Sequence, residues 1–293
     1  MADLVVDPTP IPQAPIAARM GVNQLNPDEW KQATEKYESD MFEFFLKYRN
    51  GHPYKLDKAS EEIVKLLDKI RQNPEWQTFR YQIQETVRGM KNVDTMICLG
   101  LGKYLGSKGP GNKWVEQYTA FVYMWEQVDR KWQDECRAQG NNHPTPVARI
   151  FQDPDFDLRT EYLFCKIARR NDPGTNVVVE HPVAIDMIRR NTNTFVYAPH
   201  LPCRMDPHIL SYMPQVFVGN SSQGRAGWDQ AVLEEYIVES KFDNIVGRVG
   251  PKAEDMLAKI QLARSTYGET RLIFEDEVAA PHFGRLSIFQ RPV

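Results

Sequence analysis

Thr95-Met96-Ile97-Cys98-Leu99 is too short and unpunctuated to be a helix, and it lacks the polar alternation of a strand wetted on one side. Such a run is what a strand buried on both faces looks like. It ends in Gly100-Leu101-Gly102, and a long helical stretch follows from about Lys113 to Ala138, with Trp114, Tyr118, Phe121, Val122, Trp125, Val128 and Trp132 on one side. The alternation then repeats. Strand-like runs at Val147–Phe151, Asn176–Val179, Thr194–Tyr197 and Gln215–Val218 are separated by helical patterns at Leu158–Arg170, Pro182–Arg190 and Pro207–Tyr212. Helices at Trp228–Ser240 and near Ala253–Thr266 follow. Two β-like runs, Thr270–Phe274 and Arg285–Gln290, close the chain near enough to pair antiparallel. This order predicts an α/β fold: a Rossmann-like, mostly parallel sheet with helices on both faces.

Before the first strand the pattern is helical. Residues 1–25 carry Pro8, Pro10, Pro12 and Pro15 and read as a disordered tail. Residues 26–92 read as an N-terminal helical extension. Asn26-Pro27-Asp28-Glu29 opens one helix, Ser60-Glu61-Glu62-Ile63 looks like the capping box of a second, and Asn73-Pro74-Glu75 starts a third. Trp30, Tyr37, Phe44, Trp76 and Phe79 recur at helical spacing, so these helices are expected to pack on the sheet rather than stand as a separate bundle. Residues 93–293 form the α/β domain with its C-terminal extension.

Composition narrows the function classes. With 36 Lys+Arg against 39 Asp+Glu the net charge is −3, which removes a whole-molecule electrostatic case for nucleic-acid binding. No apolar run approaches the ~20 residues of a membrane helix. Cys98, Cys136, Cys165 and Cys203 lie in unrelated contexts without CxxC spacing, which predicts reduced thiols, no metal site and a cytoplasmic or nuclear location.

In an open α/β sheet, ligands bind beyond the carboxyl ends of the strands. Those ends carry Gly100 and Gly102, Asp153, Glu180 and His181, His200, and Asn220 with Ser221. The glycine turn has G-x-G-x-x-x-G spacing through Gly106, one residue longer than the dinucleotide fingerprint. It reads equally as a phosphate-cradling turn or as a turn needing positive φ. Asp153 could accept ribose hydroxyls or stabilise its own Asp-Pro turn; as an exposed loop acid it is expected to contribute little to stability. His200 is a candidate for hydrogen bonding or proton transfer, and a zinc site with Cys203 and His208 fits no known spacing. Asn220-Ser221 lacks the G-x-S-x-G pattern of a nucleophile elbow.

These segments, in this order, resemble the sensitivity-to-red-light-reduced (SRR-type) domain family in its fungal form. The resemblance rests on Ile97 to Gly102, Gln117, Gln152-Asp153-Pro154-Asp155-Phe156 with Glu161, Thr194 to Pro202 with Pro199-His200, and Gly219-Asn220, and covers roughly residues 90–222. It departs from the plant and animal form, which has cysteine after the proline–histidine pair; Leu201 stands there, with Cys203 two residues on. The resemblance implies an intracellular regulator and marks Gly100, Gly102, Asp153, His200 and Asn220 as a common pocket for a polar or anionic small molecule. It assigns no catalytic residue and no cofactor.

An enzyme of fungal specialised metabolism is the alternative. An S-adenosylmethionine-type transferase would use the glycine turn after the first strand and the acid after the second. A tRNA-dependent cyclodipeptide synthase would need a serine where Gly102 stands and a tyrosine–glutamate pair such as Tyr123/Glu126 or Tyr236/Glu239. Arg169, Arg170, Arg189 and Arg190 could rim a tRNA site, though basic residues at helix ends are ordinary.

Overall fold

The computed structural model describes residues 53–104, 113–141, 143–156, 160, 163–164, 176–178, 181–199, 201–202, 204–222, 228, 232, 251–275, 283 and 285–292. The expected helix after Asn26, the Trp228–Ser240 helix beyond its first residues, and His200, Cys165, Cys203 and Glu161 lie outside them.

β1 (Thr95–Leu99) runs parallel to β2 (Ala148–Gln152) on one side and β4 (Thr194–Tyr197) on the other. β3 (Asn176–Val178) extends the sheet beyond β2, and β5 (Val216–Asn220) extends it beyond β4, both parallel. β7 (Leu286–Gln290) joins β5 antiparallel, and β6 (Gly268–Arg271) pairs antiparallel with β7 at the edge. The seven-stranded order is β3-β2-β1-β4-β5-β7-β6. The chain is therefore α/β with a mostly parallel sheet, and its last two strands pair antiparallel as their closeness in sequence implied.

Helices cover both faces because β1 is apolar on both. Met96 and Cys98 face a core shared with α1 (Pro53–Gln72), α2 (Gln77–Arg88) and α3 (Lys113–Ala138). Ile97 and Leu99 face a second core shared with α4 (His181–Arg190), α5 (Met205–Leu210) and α6 (Pro251–Thr266). Three contacts fasten α3 to the approach to β2: Trp125 Nε1 donates to Val147 O (2.8 Å), Trp132 Nε1 to Thr145 O (2.9 Å), and the Asp129 carboxylate accepts the Val147 amide (2.8 Å). Arg149 of β2 lies buried beneath this helix with its guanidinium 4.3 Å from the centre of the Trp125 ring.

α1 and α2 belong to the first core. Ala59, Ile63, Leu67 and Ile70 from α1 and Phe79, Ile83 and Val87 from α2 meet the sheet's own residues there. Trp76, in a 3-10 turn at Pro74–Trp76 before α2, makes edge-to-face contacts with Phe79, Phe274 and Phe283. Two sequence expectations shift. α1 starts at Pro53, a residue pre-set for the first helical turn, so Ser60 is mid-helix and buried rather than a cap. Asn73 does cap, its Oδ1 accepting the Glu75 amide (2.9 Å), but it caps the 3-10 turn that leads into α2.

Because this aromatic cluster joins the helical extension to the C-terminal segment, Trp76→Ala is expected to lower stability by about 3–5 kcal/mol. Urea unfolding followed by both circular dichroism and tryptophan fluorescence should stay a single transition. An early transition confined to the helices would show that they fold apart from the sheet.

Candidate functional site

Strand order reverses between β1 and β4, and in open α/β sheets ligands bind beyond the carboxyl ends of the strands at such a point. On the β1 side, Gly100 and Gly102 both have left-handed φ, +68° and +75°. A Cβ on Gly100 would lie 2.9 Å from Leu201 Cδ2, whereas among the described residues a Cβ on Gly102 would meet nothing within 4 Å. The two glycines thus differ: the first admits the chain that follows β4, and the second turns its bare face to open space.

The turn is held from both sides. The Gly100 amide donates to Gln152 O (3.1 Å), continuing the β1–β2 ladder by one bond. The Gly102 amide donates to Asp153 Oδ2 at 2.7 Å, and the Gly102 carbonyl accepts from Trp114 Nε1 at 2.8 Å. Asp153 Oδ1 accepts the Asp155 amide (2.8 Å), an Asx turn around Asp-Pro-Asp. Next along, the Tyr104 amide donates to Thr160 Oγ1 (2.9 Å), and the Tyr104 ring meets Trp114, which stacks on Tyr118 at 5.1 Å. Asp153 is therefore a half-buried clamp on the glycine turn rather than an independent loop acid. A carboxylate has about four acceptor positions, so two remain after these bonds.

Across the switch point, Asn220 at the end of β5 plays the matching part. Its side-chain amide donates to Leu201 O and to Asp206 Oδ2, each at 2.9 Å, and its backbone amide donates to the same Oδ2 at 2.9 Å. Gly100, Gly102 and Asp153 thus meet at one place, and Leu201 links Gly100 to Asn220. The same edge carries all four.

Beneath it lie three titratable groups whose pKa values burial raises. The Asp206 carboxyl is fully buried, and burial pushes it well above the usual carboxylate range despite the lowering bonds from Asn220; its Oδ1 has no hydrogen-bond partner. Burial, reinforced by the charge of Asp153, likewise raises the Cys98 thiol. Burial also raises Tyr197, which lies opposite Cys98 in register, and its hydroxyl has no partner. Cys98 and Cys136 are free thiols. Among the described residues no three His, Cys, Asp or Glu side chains come together as a metal site.

Sequence reasoning missed Trp114, Leu201 and Asp206. Trp114 looked like one more core aromatic of α3, and nothing in Leu201 betrays a packing role. Asp206 did leave a signal: a lone acid in the otherwise largely apolar Met205–Leu210 stretch.

No family model matches the chain, and no curated protein matches it. Among solved structures it is similar to a structural-genomics crystal structure of a Corynebacterium glutamicum protein, with 10% identity, a TM-score of 0.37, and coverage of 86% of this chain and 97% of that one.

The raised Asp206 makes a pH prediction with a definite sign. The native state holds this proton more tightly than the unfolded chain, whose aspartates titrate near ~3.9. The contribution is thus complete below that value and is lost as pH rises through the folded value. Asp206→Asn copies the neutral form, so wild type should lose stability relative to the variant by up to about 1.4 kcal/mol per pH unit within that window. Urea midpoints of both proteins between pH 4 and pH 8 check this, and parallel curves would mean that Asp206 ionises normally.

Proposed function

We propose that the chain is an intracellular small-molecule-binding regulator of the SRR type, which holds an adenosine-bearing ligand at the β1/β4 switch point. The observation carrying this reading is the bond from the Gly102 amide to Asp153, at a glycine whose added Cβ would meet nothing within 4 Å among the described residues. The dinucleotide pattern places an acid about 20 residues after the glycines, where it meets the ribose. Here α3 is 26 residues long, so the acid comes far later in sequence yet stands at the same point of the frame. Its two remaining acceptor positions suit the vicinal hydroxyls of a ribose, and the rings of Tyr104 and Trp114 lie alongside the turn.

Binding without chemistry is favoured because Cys98 and Tyr197 at this edge are buried and held protonated, which makes them poor nucleophiles. Of the two tyrosine–glutamate pairs a cyclodipeptide synthase could use, Tyr123/Glu126 is otherwise engaged, with Tyr123 in the core and Glu126 paired with Arg71, and Tyr236/Glu239 lies outside the described residues. A second reading has one observation of its own. The order β3-β2-β1-β4-β5-β7-β6 with β7 reversed is also that of S-adenosylmethionine-dependent transferases, a likeness of frame that does not establish activity. No described helix is long and apolar enough to cross a membrane, which accords with a cytoplasmic or nuclear setting.

Thermal unfolding and calorimetry with S-adenosylhomocysteine, S-adenosylmethionine, NAD and ATP test the proposal. A ligand at ~100 times its Kd adds about 2.7 kcal/mol, which should raise Tm by several degrees. Asp153→Asn, which keeps an acceptor for Gly102, should weaken that binding at least about tenfold. If none of the four compounds shifts Tm at millimolar concentration, the adenosine reading fails. Methyl transfer to an acceptor from the host extract would establish the second reading in place of the first.

A further inference from the structure

At the opposite end of the sheet from the glycine turn, a cavity of about 580 Å³ lies between the C-terminus of α2 and the edge strand β6. Its position is fixed by Gln290, which pairs with Val216 at the start of β5 and with Gly268 at the start of β6. Arg88, Lys91 and Arg291 stand around it, with Gly268 to Thr270 forming one wall. Arg88 shares its charge with Glu85, but its side chain is 74% exposed. The acid in the lining, Glu269, sends its carboxylate elsewhere: it accepts from Ser221 Oγ (2.9 Å), from the Ser222 amide (3.0 Å) and from Ser222 Oγ. The rim is therefore cationic.

Among the described residues the wall itself is an open sheet edge. The Leu272 amide bonds back to Leu286 O across the β6–β7 pair, so by the alternation of an antiparallel ladder residues 268, 270 and 272 spend their backbone groups on β7. Residues 269, 271 and 273 point theirs outward. At the far end the chain fills these itself: Gln82 of α2 donates through Nε2 to Arg271 O (2.7 Å) and accepts the Ile273 amide on Oε1 (2.9 Å). One side-chain amide there makes the pair of bonds that a residue of a parallel neighbouring strand would make. Along the cavity the Glu269 amide and carbonyl and the Arg271 amide are left facing out. An unpaired edge of this kind is a template for another strand.

We propose that this groove takes an acidic, extended peptide segment of a partner protein by strand addition to β6. The outward groups of Glu269 and Arg271 supply the main-chain bonds, Arg88, Lys91 and Arg291 select acidic side chains, and Gln82 sets where the added strand must stop. The cationic rim is what commits the site to an acidic peptide rather than to a second copy of this chain.

The test uses the full chain and fluorescence anisotropy with a labelled peptide of alternating Asp and Val. Its comparators are the same peptide with Lys for Asp, and the acidic peptide methylated on alternate backbone nitrogens. Two variants accompany it. Arg271→Pro removes the outward amide without touching the β7 ladder, a change edge strands tolerate. Lys91→Glu with Arg291→Glu reverses the rim. The acidic peptide should bind the wild type, and the Lys peptide, the methylated peptide and both variants should each bind at least about tenfold more weakly, with circular dichroism unchanged. No binding of the acidic peptide overturns the proposal. So does binding that resists backbone methylation, which would mark a charge patch alone. Dimerisation of the peptide-free chain that Arg271→Pro abolishes would give the edge to a second copy. Should Arg271→Pro fail to fold, the methylated peptide decides.

Discussion

A charge-assisted bond from the Gly102 amide to the Asp153 carboxylate ties the end of β1 to the end of β2, and the geometry of the whole carboxyl edge follows from it. Without an acceptor at that point, a left-handed turn after a buried strand would leave its amide unpaired, at a cost of about 1–3 kcal/mol. With it, the turn is pinned at both ends of one peptide plane pair, because Trp114 takes the Gly102 carbonyl while Asp153 takes the amide. The first turn of α3 is thereby set against the β1 terminus. The tryptophan's place in the sequence, immediately inside the helix, is what lets one side chain both pack on Tyr118 and reach back to the loop.

The other half of the edge is built on a fully buried acid. Asp206 is short of one hydrogen bond and wholly buried, yet it receives two from Asn220, which also holds Leu201 against Gly100. Burial raises this carboxyl's hold on its proton, because a lone charge in the core is costly. Two devices, a half-buried carboxyl clamp at β2 and a fully buried one behind β5, thus position the four strand ends as a single rim. The opposite edge follows different rules: there the sheet ends in an exposed strand, and Gln82 blocks only part of it.

How much of this was readable depended on where burial dominates. β1, β2, β4 and β5 are buried on both faces and largely apolar, so their runs announced themselves. β6 did not. Gly268–Arg271 is mostly exposed and has no apolar alternation, so the pattern pointed instead to Thr270–Phe274. Leu272 and Phe274 are apolar because they pack into the aromatic cluster around Trp76 and Phe79. Gly219 and Asn220 looked like a turn but continue β5, because the antiparallel partner β7 supplies Ser287 and Leu286 opposite them. That pairing is distant in sequence and leaves no local trace. For the site, strand ends were enough to bring Gly100, Gly102, Asp153 and Asn220 to one edge. That Asp153 would be a clamp was not legible, since its partner is a backbone amide fifty-one residues away.

Hydrogen exchange at individual amides tests the central claim most directly, because that claim concerns two backbone amides, each held by a side-chain carboxyl group. In the wild type the Gly102 and Asn220 amides should exchange as slowly as the strand amides that precede them. Asp153→Ala should release Gly102 and Asp155 while Asn220 stays protected, and Asp206→Ala should do the reverse. If Gly102 exchanges at the rate of an open loop in the wild type, the edge is not clamped and the site has no fixed floor.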